Sequence, residues 1–121
     1  MIFTGVHIRS VSPDGTIELP HDWEPQDGQF CAFVAPRSHP IAIALHPAAM
    51  ADILRENLPI ASRQIGLTMT MCMLDTVARC LLVPKPLREE ASLGTMVVLE
   101  GKGAHALIYG RVHSDKENSM G

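Results

Sequence analysis

The residues best suited to chemistry lie in one short phrase, Leu74-Asp75-Thr76-Val77-Ala78-Arg79-Cys80-Leu81-Leu82-Val83-Pro84. Asp75 and Arg79 stand four positions apart across what reads as a tight turn. A guanidinium carried on a turn can take a phosphate, or a guanine edge, in forked geometry. The same spacing also lets Asp75 pair with Arg79 and stiffen the turn, or orient the arginine for a ligand. Beyond the turn, Lys85 and Arg88 flank Pro86. They either lengthen a basic strip or belong to a solvated helix face whose charge Glu89 and Glu90 cancel. A related phrase in the other half, Val11-Ser12-Pro13-Asp14-Gly15-Thr16-Ile17-Glu18-Leu19-Pro20, offers less. Its turn carries Asp14, and Arg9 is the only nearby cation, so this half repels phosphate rather than holding it.

Other chemistries lack a pattern. The chain has six histidines, but no His-Xaa-Xaa-Xaa-His or Cys-Xaa-Xaa-Cys spacing, so no metal centre is expected. His46, before Pro47, reads as a helix-entry residue. The three cysteines, Cys31, Cys72 and Cys80, are an odd number in apolar surroundings. They read as reduced, buried thiols, and Cys31 and Cys72, in apolar strand patterns, as protonated and inert. There is no Gly-rich phosphate loop, no pair of catalytic carboxylates and no nucleophile elbow. Neither an enzyme nor a cofactor is expected.

The elements that must position the two turns follow from periodicity. Val6 and Ile8 alternate with His7 and Arg9, which suits a strand with one wet face. Ser12-Pro13-Asp14-Gly15 is a strong turn signal, and Thr16 to Leu19 returns as a strand, making a hairpin. Phe30 to Ala35 and Ile41 to Leu45 are further strands, separated by the stiff loop Pro36 to Pro40. His46-Pro47 opens a helix whose Met50, Ile53, Leu54 and Leu58 form a buried face, ended by Asn57 and Pro59. From Ala61 to Met73 the pattern fits either a helix or a strand. If a strand, its methionines belong to a core or to a subunit interface. Cys80 to Val83 is a strand, Leu87 to Leu93 a short helix, and Met96 to Glu100 with Ala104 to Val112 a hairpin about Gly101-Lys102-Gly103.

At 121 residues the chain is one domain or two small interlocked halves. Hydrophobic residues make up 46% and charged residues 19%, a globular balance without a disorder signature. Aromatics are only 4% against seven methionines, which suits a core of Met, Leu, Ile and Val and not a base-stacking surface. A net charge of −3 argues against non-specific polyanion binding, although a local basic patch would suffice. No apolar run approaches a membrane span, and no signal peptide precedes the opening, so a cytoplasmic protein is expected.

In their order, Phe3-Thr4-Gly5, a turn–strand–proline phrase in each half, and Leu87-Arg88 after the second proline resemble the MraZ family. The resemblance covers roughly residues 1 to 110. That family is built from two swapped-hairpin half-barrels of the SpoVT/AbrB type, each with an Asp-Xaa-Xaa-Gly-Arg turn. In the second half Asp75 and Arg79 stand for the motif's Asp and Arg. In the first, Ser12 replaces the Asp, Asp14 stands where a Lys is common, and Thr16 replaces the Arg, leaving Asp14, Gly15 and Thr16 to support the turn. The resemblance implies an α+β fold, a β-rich swapped-hairpin (double-psi-like) barrel of two pseudo-symmetric halves with short helices. Its halves would be residues 1–60 and 61–113, with a tail at 114–121. It also implies a nucleoid-associated transcription regulator whose subunits form a ring on double-stranded DNA repeats upstream of the division and cell-wall gene cluster. Arg79, Lys85, Arg88 and Arg9 would then touch DNA. The alternative is an oligomeric scaffold or protein-binding module of the same ancestry that has lost DNA binding. Ser12, Asp14, Thr16, the acidic balance and the short tail motivate it.

Overall fold

The computed structural model describes residues 3–23, 28–35, 41–57 and 69–111. Their strands are β1 (Val6–Ser10), β2 (Thr16–Glu18), β3 (Gln29–Val34), β4 (Ile43–Pro47), β5 (Thr70–Asp75), β6 (Cys80–Leu82), β7 (Met96–Gly101) and β8 (Ala106–Gly110). A 3₁₀ turn at Ala48–Met50 leads into the short helix α1 (Ala51–Asn57), and α2 (Lys85–Glu90) follows β6. All ladders are antiparallel, in the spatial order β1-β7-β8-β4-β3-β5-β6-β2. A bridge between Val11 and Ile17 brings the two ends of this order together. The result is a β-rich, nearly closed barrel with two short helices, which limits the exposed sheet edge. No helix among the described residues is long and apolar enough to cross a membrane.

Sequence neighbours are often not sheet neighbours. The expected β1–β2 hairpin is reduced to the Val11–Ile17 bridge and a bond from the Ser12 N–H to the Thr16 carbonyl at 3.0 Å. β1 instead pairs with β7, from Val6 opposite Glu100 to Ser10 opposite Met96. The three-residue β2 pairs with β6, Ile17 opposite Leu81. β3 pairs with both β4 and β5. The opening Phe3-Thr4-Gly5 lies along the end of β7: Phe3 and Gly103 exchange backbone bonds of 2.7 and 2.8 Å, and the Gly101 N–H donates to the Gly5 carbonyl at 2.8 Å. A Cβ on Gly101 would come within 2.4 Å of the Thr4 nitrogen, so this approach of two backbones requires glycine.

The core departs from the composition in an informative way. Leu, Ile, Val and Ala fill it, joined by Phe3, Trp23 and Phe30. Phe3 meets Trp23 edge to face at 5.1 Å and Phe30 at 6.2 Å. Among the described residues methionine does not fill the core as expected: Met50, Met71, Met73 and Met96 are exposed and Met69 is half-buried. In β5 the inward residues are Cys72 and Leu74, so Met71 and Met73 point outward. β1 likewise turns its apolar Val6 and Ile8 to solvent and half-buries His7 and Arg9. His7 makes an edge-on contact with Trp23.

The helix expected from His46-Pro47 begins later. β4 continues through Pro47, because Phe30 opposite Pro47 and Cys31 opposite His46 extend its ladder with β3. His46 is therefore a strand residue, stacked between Phe33 and His105 at 5.8 and 4.9 Å. α1 does not have the expected buried face either, since Met50 and Ile53 are exposed and Leu54 is half-buried. The loop Pro36 to Pro40, Leu58 with Pro59, the stretch 61–68 and the tail 114–121 lie outside the described residues.

Candidate functional site at the paired turns

The β2–β6 ladder draws the two turns singled out by the sequence to one end of the barrel. In the first, the Gly15 N–H donates to the Ser12 carbonyl at 2.8 Å. Asp14 Oδ1 accepts from the Thr16 hydroxyl at 2.9 Å and the Thr16 N–H at 3.2 Å. In the second, the Arg79 N–H donates to the Asp75 carbonyl at 2.6 Å. Asp75 Oδ1 accepts from the Val77 and Ala78 N–H groups at 3.0 and 3.1 Å. Each aspartate thus serves its own turn, the local side-chain-to-backbone bonding that suits Asp to such places. Gly15, at φ 92°, and Arg79, at φ 61°, both adopt the left-handed conformation. Their carbonyls accept from the opposite strand: Val83 N–H to Gly15 at 3.0 Å, and Leu19 N–H to Arg79 at 2.9 Å.

Three of the four candidate DNA-contacting cations, Arg9, Arg79 and Arg88, donate to the protein's own carbonyls. Arg79 Nη2 donates to the Pro20 carbonyl at 3.1 Å and to that of His21. It therefore ties its turn to the segment after β2. Asp75 Oδ1 meanwhile caps the Val77 and Ala78 N–H groups. Arg88 Nε donates to the Val83 carbonyl at 2.9 Å. Its guanidinium lies so close to Gly15 that a Cβ there would sit 2.8 Å from it. Arg9 donates to the Glu18 and Ile8 carbonyls at 3.2 and 3.1 Å. Lys85 lies 3.9 Å from Glu89, a solvent-exposed pair worth little.

Carboxylates, by contrast, face an open groove of about 460 Å³ beside the turns. Asp14, Thr16 and Asp75 supply its polar lining, and Met73, Ala78 and Leu82 much of its apolar lining. No ion pair joins Asp14, Glu18 or Asp75 to a cation among the described residues. Cys80 also lines the groove and is half-buried, a correction to the expectation of three buried thiols; Cys31 and Cys72 are buried as expected. Burial, then the negative charges of Glu18, Asp75 and Asp14, push the Cys80 thiol up from its ordinary value. Burial also raises Cys31, and carries Cys72 to about 11. Each of these shifts favours the protonated thiol.

Sequence reasoning missed a second polar cluster, at the β4–β8 seam. The stacked His46 and His105 rings are held neutral, each mainly by burial, with His46 lowered to about 4 and further opposed by charge on His105. Nearby, the Tyr109 hydroxyl donates to Glu100 at 2.9 Å, and Lys102 bonds the same carboxylate at 2.7 Å. A lone His per strand carries no such signal, because the stack exists only once β8 lies beside β4. Among the described residues no group of three or more His, Cys, Asp or Glu side chains could hold a metal. Compared with models of known protein families and with curated proteins, the chain matches none.

Proposed function

We propose that this chain is a protein-binding or scaffold module on a MraZ-like barrel, not a DNA reader. One observation carries the reading. Around the paired turns Arg9, Arg79 and Arg88 are engaged by the protein's own carbonyls, while Asp14 and Asp75 line the open groove. A phosphate backbone needs cations presented outward and meets carboxylates here. The overall charge of −3 acts in the same direction.

The MraZ-like ancestry rests on the sequence resemblance and is supported by the way strands are exchanged. β1 pairs with β7 as β5 pairs with β3, and the 1–60 and 61–113 halves each contribute four strands to one sheet. Two reciprocal sets of backbone bonds fit a pseudo-two-fold swapped-hairpin arrangement. Leu19 bonds Arg79 as Val83 bonds Gly15, and Val11 bonds Thr95 as Leu74 bonds Gly28. In that correspondence Arg79 matches Gly15, and Cys80, not Arg79, matches Thr16.

The test is fluorescence anisotropy of the purified chain on labelled duplex DNA from its own upstream region, over a salt series, with light scattering for oligomeric state. Weak binding that ignores sequence is expected. Salt-sensitive binding that prefers the native repeats and is lost in Arg79→Ala would restore the alternative, a ring-forming, nucleoid-associated transcription regulator.

A further inference from the structure

Resting on the reading just given, we infer that the groove beside the paired turns docks a short basic amphipathic segment of a partner protein. Three features of this face point the same way. Its floor is apolar yet uncovered: Met73 and Leu82 line the groove and are 57% and 49% exposed on the outer face of β5 and β6, where the inward positions are filled by Cys72, Leu74 and Leu81. Its rim is acidic: Asp14 and Asp75 line the groove, and Glu18 stands opposite Cys80 on the adjoining strand. Its cations are directed elsewhere, since Arg79 reaches the carbonyls of Pro20 and His21, and Arg88 that of Val83.

An occupant must match both parts. Apolar side chains on one side of a short segment would cover Met73 and Leu82, and unbranched thioethers adapt to differing shapes. Lys or Arg on its flanks would meet Asp14, Glu18 and Asp75, which also speed encounter at low salt. Duplex DNA satisfies neither requirement, and an acidic peptide fails the second. The carboxylates keep their turn bonds through Oδ1 in this arrangement, so docking asks no refolding of the turns.

The full chain would be titrated into three labelled model peptides of equal length, built of Leu and Lys, Leu and Glu, or Ser and Lys, with the duplex DNA as a fourth probe. The Leu/Lys peptide is expected to bind best. Its affinity should fall roughly tenfold in a D14N/E18Q/D75N variant, which keeps the turn acceptors, and again in M73S. Blocking Cys80 with a bulky maleimide should abolish it. Failure of the Leu/Lys peptide to bind, or equal binding by wild type and the triple variant, overturns the docking inference while leaving the non-DNA reading intact. Specific, salt-sensitive DNA binding overturns the reading itself.

Discussion

The two turns at the end of the barrel have the same backbone form but different residues at its demanding position. Gly15 occupies the left-handed conformation at little cost, whereas Arg79 does so against the steric preference of an L side chain. The strain at Arg79 is offset by what its side chain does: the guanidinium spans to Pro20 and His21, bracing the segment that carries Trp23 into the core. Around Gly15 the bracing comes from outside, as Arg88 lies over the missing side chain. An arginine in a turn therefore marks a ligand-binding residue only if its head is free to leave the protein. Here it acts as a structural tie.

The comparison breaks most completely at the core residues behind each turn. Trp23→Ala should lose about 3–5 kcal/mol of stability and Leu87→Ala, its smaller counterpart after β6, about 2–5 kcal/mol, both read by urea denaturation. A Leu87 variant that costs clearly more than the Trp23 variant would show that the second segment carries the barrel. Gly15→Ala comes next, at about 1–2 kcal/mol, because it adds left-handed strain and displaces Arg88. Arg79→Gly sharpens the contrast: relief of strain should offset part of the lost bonds, making it milder than Arg79→Ala by about 1 kcal/mol. Equal losses for the two would mean that the left-handed turn is not what costs at this position. Asp75→Ala should lose about 1 kcal/mol, and Asp75→Asn, which keeps an acceptor for Val77 and Ala78, nearly none.

A pH effect lies away from the turns and serves as their control. The folded His46 binds its proton more weakly than the ordinary value of 6.5, at about 4, so the unfolded chain takes up more protons between these values. Stability contributed by neutral His46 is present above pH 6.5 and is lost as pH falls toward 4. A fall of a few degrees in Tm across that window is expected, and His46→Gln should flatten it. An unchanged slope in that variant would assign the titration to another group.

Much of the architecture was legible in the residues. Ser12-Pro13-Asp14-Gly15 announced its turn, because Pro and Gly restrict or free backbone dihedrals whatever surrounds them. The Gly101-Lys102-Gly103 hairpin and most strands were placed within a few positions. The candidate site was legible as a location only: Asp75 and Arg79 do lie at one turn, but where the guanidinium goes depends on Pro20 and His21, distant in sequence and adjacent only in the barrel.

Alternation in β1 and β5 likewise established two faces without saying which is buried, since a one-residue change of register exchanges them. That Val6, Ile8, Met71 and Met73 face outward was decided by the pairing of β1 with β7 and of β5 with β3. By itself, the sequence determined the turns, the strand-rich pattern and the sign of the net charge, all set by local dihedral preference and composition. Only the tertiary structure decided which strands meet, which apolar residues stay uncovered and where each cation is bound. Those outcomes depend on contacts between residues far apart along the chain.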